Sequence, residues 1–311
     1  MSYYSLNSYI QKRYGKKLYK LSLDGGFTCP NRDGTLGSRG CIFCSGRGSG
    51  DFAVPTGADI YEAIEQAKLK VAHKNKGGGY IAYFQSFTST YAPVPRLREL
   101  FTAAIEHPDV EVLSIGTRPD CLGDDVLRLL KELNEIKPVW IELGLQTIHE
   151  DTAKYIRRGY ELPVFDDAVK RLKAAGIEVI VHMIIGLPGE TAEMIWDTAR
   201  YIGKCGADGV KFQLLHILRG TDLLSDFEAG KFKALELEEY IHILEGCIQR
   251  IPENMVVHRI TGDGDKKILV APLWSGDKKK VLNTINKAFD EHHIIQGSKA
   301  PSDEGAVGAA D

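Results

Sequence analysis

Three cysteines fall within one short stretch, C-P-N-R-D-G-T-L-G-S-R-G-C-I-F-C, running from Cys29 to Cys44. Its other residues are largely Gly, Arg, Asn, Asp and Ser, so the segment reads as a loop whose chemistry is that of its thiols. A structural zinc ion takes four ligands, and no fourth Cys or His lies within reach by sequence; the nearest histidine, His73, sits in a helical pattern. A cubane iron-sulfur cluster suits three thiolates, because the missing fourth ligand leaves one iron open to a cofactor or substrate. A disulfide with one spare thiol is the third reading, and it belongs to oxidising compartments. Cys121, Cys205 and Cys247 stand singly in apolar or helical surroundings and read as small core residues.

The elements that must carry this loop alternate. Apolar or alternating runs at Leu18 to Leu23, Tyr80 to Phe84, Val110 to Ile115, Val139 to Leu143, Ile177 to Ile185 and Gly209 to Leu215 predict strands. Helical periodicity fills the gaps at Asp59 to Ala72, Pro95 to Glu106, Asp124 to Leu133, Phe165 to Ala175 and Glu190 to Lys204, with Gly176 as a C-terminal cap and Gly123 or Asp124 as an N-terminal one. Six such repeats predict an α/β fold with a parallel sheet, doubly wound or curled into a partial barrel, and the cysteine loop follows its first strand. Beyond about Gly220 the pattern changes to a helix over Leu235 to Ile251, short strands at Met255 to Ile260 and Ile268 to Val270, and a helix over Lys279 to His292. The organisation expected is an N-terminal arm over 1–17, a core over 18–220, an extension packed on it over 221–296, and a disordered tail over 297–311.

Composition bounds the function. With 311 residues, 43% hydrophobic and 26% charged, the chain can bury a barrel-sized core. No apolar run approaches the roughly 20 residues of a membrane span, and Met1 to Tyr14 is no leader sequence, so a soluble, cytoplasmic protein without a membrane partner is expected. A net charge of -3 gives no general attraction to nucleic acid. Locally, Lys12, Arg13, Lys16, Lys17 and Lys20 interleave with Tyr3, Tyr4, Tyr9, Tyr14 and Tyr19, a mix that suits phosphate contact with base stacking or simply a solvated arm.

The tight C-x-x-C with a more distant cysteine before it, placed after the first of six strand-helix repeats, resembles the radical S-adenosylmethionine (SAM) superfamily. Eleven residues separate Cys29 from Cys41, a departure from the common three-two spacing that is found in the branch including the elongator catalytic subunit. Within it the chain resembles the YhcC/YtqA group, whose YtqA-type members are also called MnmL. The motifs are L-D-G-G-F-T-C-P-N-R-D-G, G-C-I-F-C, Y-F-Q-S-F-T-S-T-Y-A-P, T-R-P-D-C, E-L-G-L-Q-T and H-R-I-T-G-D-G, spanning Leu23 to Gly264.

The resemblance implies a partial (β/α)6 TIM-like barrel with a small α+β C-terminal extension, and a 4Fe-4S cluster on Cys29, Cys41 and Cys44 whose open iron binds SAM. It places Gln85 and Ser86, after the second predicted strand, where the superfamily commonly has Gly-Gly-Glu touching the cofactor's amino group. Gln85 equally reads as a strand-end cap. Thr117, Arg118 and Asp120 follow the third strand, as cofactor and substrate contacts or as a salt-bridged Arg-Asp turn. Glu142 and Gln146 share a strand face and would lie near the ribose and methionine. Arg158 matches the arginine that grips the cofactor's carboxylate, and Gly186, Leu187 and Pro188 the backbone packed on adenine. His216, Arg219, His258 and Arg259 are substrate-contact candidates, with a structural histidine as the plainer alternative.

The implied activity is reductive cleavage of SAM to a 5′-deoxyadenosyl radical, supplied with electrons by a flavodoxin- or ferredoxin-type donor. YtqA-type members are associated with the aminomethyl side chain at carbon five of wobble uridine, which implies a tRNA partner and makes Arg32, Arg39, Arg47 and Lys278 to Lys280 possible contacts. Two rival readings stay open: radical chemistry on a small metabolite such as a porphyrinogen or diol, and a non-catalytic, zinc-stabilised RNA-binding protein.

Overall fold

The apolar runs are buried on both faces, as a parallel sheet covered by helices demands. In the computed structural model, which describes residues 2–48, 50, 53–57, 59–262 and 264–300, they become strands β1 (Leu18–Asp24), β3 (Gly79–Phe84), β4 (Val110–Thr117), β5 (Val139–Gln146), β6 (Glu178–Ile185) and β7 (Gly209–Leu214). All are parallel in chain order, with Leu18 opposite Gly79, Tyr80 opposite Val110, Leu113 opposite Val139, Trp140 opposite Glu178 and Ile180 opposite Gly209. Two strands unforeseen in this sheet extend it to eight among the described residues. The short β2 (Val54–Pro55) joins the β1 edge, and β9 (Val256–Arg259) pairs with β7. The sheet is a curled half barrel with helices outside, which is the partial barrel expected from the sequence.

Helices α2 (Ile60–Val71), α3 (Val94–Glu106), α4 (Asp124–Ile136), α6 (Leu162–Ala174) and α7 (Ala192–Lys204) cover the outer face. Gly176, at φ 72°, ends α6 where an L side chain would strain the backbone. The short α5 (Glu150–Tyr155) sits between β5 and α6.

Strict alternation separates two apolar systems. Outward residues such as Leu23, Phe84, Ile115, Leu143, Val181 and Phe212 belong to the main core under the helices. Inward residues Ile81, Val112, Trp140 and Ile180 form a separate layer at the amino-terminal ends of the strands.

That layer explains the first correction. The N-terminal segment is not a solvated arm: Leu6–Tyr14 is helix α1, capped by Ser5 and ended by Gly15, and its Ile10 packs on Trp140 and Ile180. Its tyrosines are engaged at this end, away from the cysteine loop. Tyr3 packs edge-on against Phe289, Tyr9 against Trp140, and the Tyr9 hydroxyl donates to Glu178 at 2.7 Å. Lys16 pairs with Glu111 and Arg13 with Glu178.

The segment after 220 comprises α8 (Asp222–Glu228), α9 (Leu237–Arg250), β9, β10 (Leu269–Ala271) and α10 (Lys278–Glu291). It is less separable than the sequence suggests: β9 is part of the barrel sheet, and β10 pairs antiparallel with β8 (Ile217–Leu218). The expected disorder from Gly297 is also corrected for 297–300. Gly297 and Lys299 donate backbone hydrogen bonds to Ile248 and Gln249 on α9, at 3.3 and 2.7 Å; residues 301–311 lie outside the described residues. No helix among the described residues is long and apolar enough to cross a membrane.

Candidate active site at the carboxyl edge of the half barrel

The cysteine loop leaves β1 at Asp24, whose carboxylate accepts from the Gly26 amide at 3.0 Å. Backbone turns then fold it on itself: Arg32 N–H donates to Cys29 O at 2.8 Å, Gly40 to Asn31 O at 2.7 Å and Cys44 to Cys41 O at 3.1 Å. Arg32 clamps the far end, donating to the Ser45 and Cys44 carbonyls at 2.7 and 3.2 Å while lying over the Phe87 ring. Ile42 anchors the loop in an apolar cluster with Ile156, Ile184, Leu187 and Leu215. The Asn31 amide ties it to the chain after α5, donating to Arg157 O at 2.7 Å.

All three loop thiols are free and half-buried. Cys41 accepts from Cys44 and from Asn31 Nδ2 at 3.4 Å, and with the Arg118 and Arg32 charges nearby it is pulled down to about 6. Cys44, the donor of that shared proton, is pushed up by the same bond and by burial, and it also feels Cys29. A loop that gathers three thiols among guanidinium groups, with a thiolate already favoured, is a donor set suited to an iron-sulfur cluster.

A second polar group lies inside the half barrel. Glu142, mid-strand on β5 and fully buried, accepts from Lys20 at 2.9 Å, Ser114 at 2.9 Å and His182 Nε2 at 2.7 Å, and pairs with Lys211. Lys211 also reaches Tyr83 at 3.1 Å, and Gln213 bonds His182 Nδ1 at 3.1 Å. Desolvation presses Glu142 toward its neutral form, but Lys20, Lys211 and the His182 bond overcome it, and its carboxyl is held well below the usual range.

The Radical SAM superfamily model matches residues 34–202, more than half of the sequence. This chain belongs to the radical SAM superfamily. The Radical SAM C-terminal domain model matches residues 207–291. The uncharacterized protein YtqA of Bacillus subtilis is 44% identical over 95% of this chain and 92% of its own length; YhcC of Escherichia coli is 37% identical over 93% and 92%. A tRNA uridine(34) acetyltransferase of Methanocaldococcus jannaschii is 28% identical over 59% of this chain and 33% of its own. Among solved structures, Elp3 of the archaeon Methanocaldococcus infernus shares the fold with a TM-score of 0.67 at 18% identity, over 90% of this chain; the chain spans 64% of that one.

Against this radical SAM frame the expected site residues divide into three groups. Cys29, Cys41, Cys44, Arg118, Asp120 and Arg158 come together, but the arginines are already engaged. Arg118 makes a bidentate pair with Asp120, at 2.9 and 2.6 Å, and donates to Arg158 O at 2.7 Å, so the salt-bridged turn weighed from the sequence is what forms. Arg158, expected at the cofactor's carboxylate, has a side chain only 2% exposed and is held by protein partners. It donates to Thr147 O at 2.6 Å, Glu150 at 2.8 Å and Tyr160 O at 3.0 Å, and stacks on the Tyr160 ring. These bonds buttress the 157–160 turn on which Asn31 and Cys41 lean.

The strand-end residues line the same edge. Gln85 follows β3, and Ser86 is buried with no hydrogen-bond partner for its hydroxyl. Thr117 shares a 2.6 Å bond with Thr90. Gln146, at φ 68°, has a buried side-chain oxygen without a partner. Gly186 adopts φ 95° before Leu187 and Pro188, and this turn leads to α7, with Thr191 as its cap. Glu142, expected near the ribose, centres the interior network.

The substrate candidates separate. His216 bonds Ser275 at 3.1 Å, and the Arg219 backbone pairs with Ile268 in the β8–β10 ribbon. His258 packs edge-on against Trp140 in the interior, and the Arg259 charge acts on Tyr83, His182 and Lys211. Among other potential metal ligands, Glu65, His107 and Asp109 cluster, but Lys68 already bridges both carboxylates at 2.8 and 2.6 Å.

Asn31, Tyr83, His182, Lys211 and Gln213 were missed from sequence, and Lys20, read there with the basic N-terminal residues, pairs with Glu142. Lys20 and Lys211 carried a usable signal, since a lysine alternating with apolar residues in a buried strand needs a partner.

Two measurable consequences arise from this geometry. Gly159 has φ 82°, and a Cβ there would come within 2.7 Å of Asn31 Oδ1 and 3.3 Å of Arg118 Nη2. Gly159→Ala is expected to cost about 1–3 kcal/mol and to lower iron retention, read by urea unfolding and iron analysis. Unchanged values for both would refute the buttress. Burial and the Lys211 charge push His182 down to about 4, against the pull of Glu142. The unfolded chain takes up this proton below about pH 6.5, so stability present above that pH is lost as pH falls toward 4. Between pH 7 and about 5 the loss should be about 2 kcal/mol, and His182→Gln should flatten the profile in that window.

Proposed function

We propose that this chain cleaves SAM reductively at a 4Fe-4S cluster and modifies the carbon-five aminomethyl side chain of wobble uridine in tRNA. The observation that carries the first part is the gathering of Cys29, Cys41 and Cys44 on one loop at the mouth of a half barrel with a polar interior. Those thiolates would hold the cluster, and the group bound there supplies, with SAM, a 5′-deoxyadenosyl radical for hydrogen abstraction. The chain's own residues do the rest. The Cys44 bond, Asn31 and Arg118 favour the Cys41 thiolate, Arg158 holds the turn beneath it, and Ile42 packs the loop's inner side against apolar neighbours.

Support for the tRNA substrate is the similarity to an enzyme named for uridine 34 and the group resemblance, and the exposed Arg39 and Arg47 offer phosphate contacts on the cysteine loop. The electron donor is proposed to be of flavodoxin or ferredoxin type. Anaerobic reconstitution should yield iron and sulfide, and deoxyadenosine on adding SAM and dithionite. Absence of both after reconstitution refutes the radical reading. Deleting the gene should change the wobble-uridine nucleosides of total tRNA by mass spectrometry, and an unchanged profile refutes the tRNA substrate.

A further inference from the structure

The interior of the half barrel sets two ammonium groups against one carboxylate. Lys20 and Lys211 both pair with Glu142, both lie 4.5 Å from the centre of the Tyr83 ring, and the Arg259 charge is felt beside them. Ser114 and His182 take further hydrogen bonds on Glu142, so this carboxylate has no capacity to spare. One Lys-Glu pair would satisfy a buried structural role; among the described residues the second lysine has no carboxylate of its own, and uncompensated charge out of water is costly. Burial and the Lys20 charge press Lys211 toward its neutral form against the pull of Glu142, so a further anion beside it would help it keep its proton.

Lys20 is partly open to solvent, whereas Lys211 is buried. Toward the carboxyl edge the inward positions Gly116 and Gly144 carry no side chain, and the Gln146 amide lies over Gly144. The Lys20 side chain is 24% exposed and His182 17%, whereas Ile81, Val112, Trp140 and Ile180 on the other side are at most 1% exposed. Solvent therefore reaches Lys20 and His182 from elsewhere than the end closed by α1, while Lys211 lies beneath them, 3% exposed.

We infer that Lys20 and Lys211 form a recognition site for an oxyanion of the substrate, a carboxylate or phosphoryl group that supplies the missing counter-charge and positions the substrate in the half barrel. This rests on the proposed enzymatic reading, in which a substrate enters the half barrel, but it concerns strand residues of β1 and β7 and not the cysteine loop. It makes Lys20 a determinant of which substrates are held.

The test uses the reconstituted holoenzyme, titrated with sodium acetate or inorganic phosphate at an ionic strength kept constant with chloride, and followed by calorimetry and thermal unfolding. Saturable binding of at least one probe is expected, weakened about tenfold or more by Lys20→Met and largely restored by Lys20→Arg. Acetate binding alone identifies a carboxylate site, phosphate binding alone a phosphoryl site. A response that never saturates, or equal binding by Lys20→Met and wild type, overturns the inference. Deoxyadenosine formation by the wild type is measured in parallel. Its presence without oxyanion binding refutes only the lysine site; its absence refutes the radical reading whatever the titration shows.

Discussion

Cys41→Ala is expected to leave the reconstituted protein with a small fraction of wild-type iron, and to lower deoxyadenosine formation by about a thousandfold or more. The reason is specific to this thiol. It accepts from Cys44 and Asn31, lies within the field of Arg118 and Arg32, and has its thiol pulled down to about 6. Removing it deletes one of three sulfur donors and the acceptor of the Cys44 and Asn31 bonds. Cys41→Ser controls for cavity effects and should fail similarly. Cys205→Ala is the contrasting control: Cys205 ends α7, donates to Ile202 O at 3.2 Å and has its thiol pushed up by burial, so its loss should spare iron. Wild-type iron and turnover in Cys41→Ala would sink the cluster assignment.

The second large effect concerns stability. Glu142→Ala should destabilise the chain by about 3–5 kcal/mol, because it abandons two lysines and a histidine inside the half barrel. Glu142→Gln should cost less, since an amide oxygen still accepts one bond. Lys211→Met combined with Glu142→Gln should cost less than the two single changes added together, the sign of a shared network. Urea unfolding gives all three values, and a loss below about 1 kcal/mol for Glu142→Ala would show that the network contributes little. Glu142 also shapes the acid limb. Its folded carboxyl titrates below the ordinary value of 4.5, so the stabilisation it provides is present above that pH and is lost as pH falls further. The His182 loss precedes it on acidification, and the two should be resolved as successive falls in the unfolding midpoint.

Much of this architecture was legible because parallel strands buried on both faces announce themselves as apolar runs. Val139 to Leu143 and Ile177 to Ile185 needed little adjustment in the structure, and Gly176 ended its helix as expected. The segments misjudged were those whose partners are distant in the chain. Residues 1–17 look polar, yet α1 buries only Ile10 completely, and what it covers is Trp140 and Ile180, far along the sequence. Residues 256–259 are too short to declare a sheet, and only pairing with β7 makes them its last strand. The site divides in the same way. Cys29, Cys41 and Cys44 share one loop, whereas the Glu142 network draws Lys20, Ser114, His182 and Lys211 from four other strands.

By itself the sequence determined the thiol loop, the alternation of strands and helices, and the order of motifs along one sheet edge, because each depends on spacing within a few residues. Tertiary structure alone decided that Arg158 is buried as a buttress, that Arg118 pairs with Asp120, and that two lysines converge on one glutamate. Those outcomes follow from which side chains share a low-dielectric interior, and a buried charge takes the partner that folding brings to it.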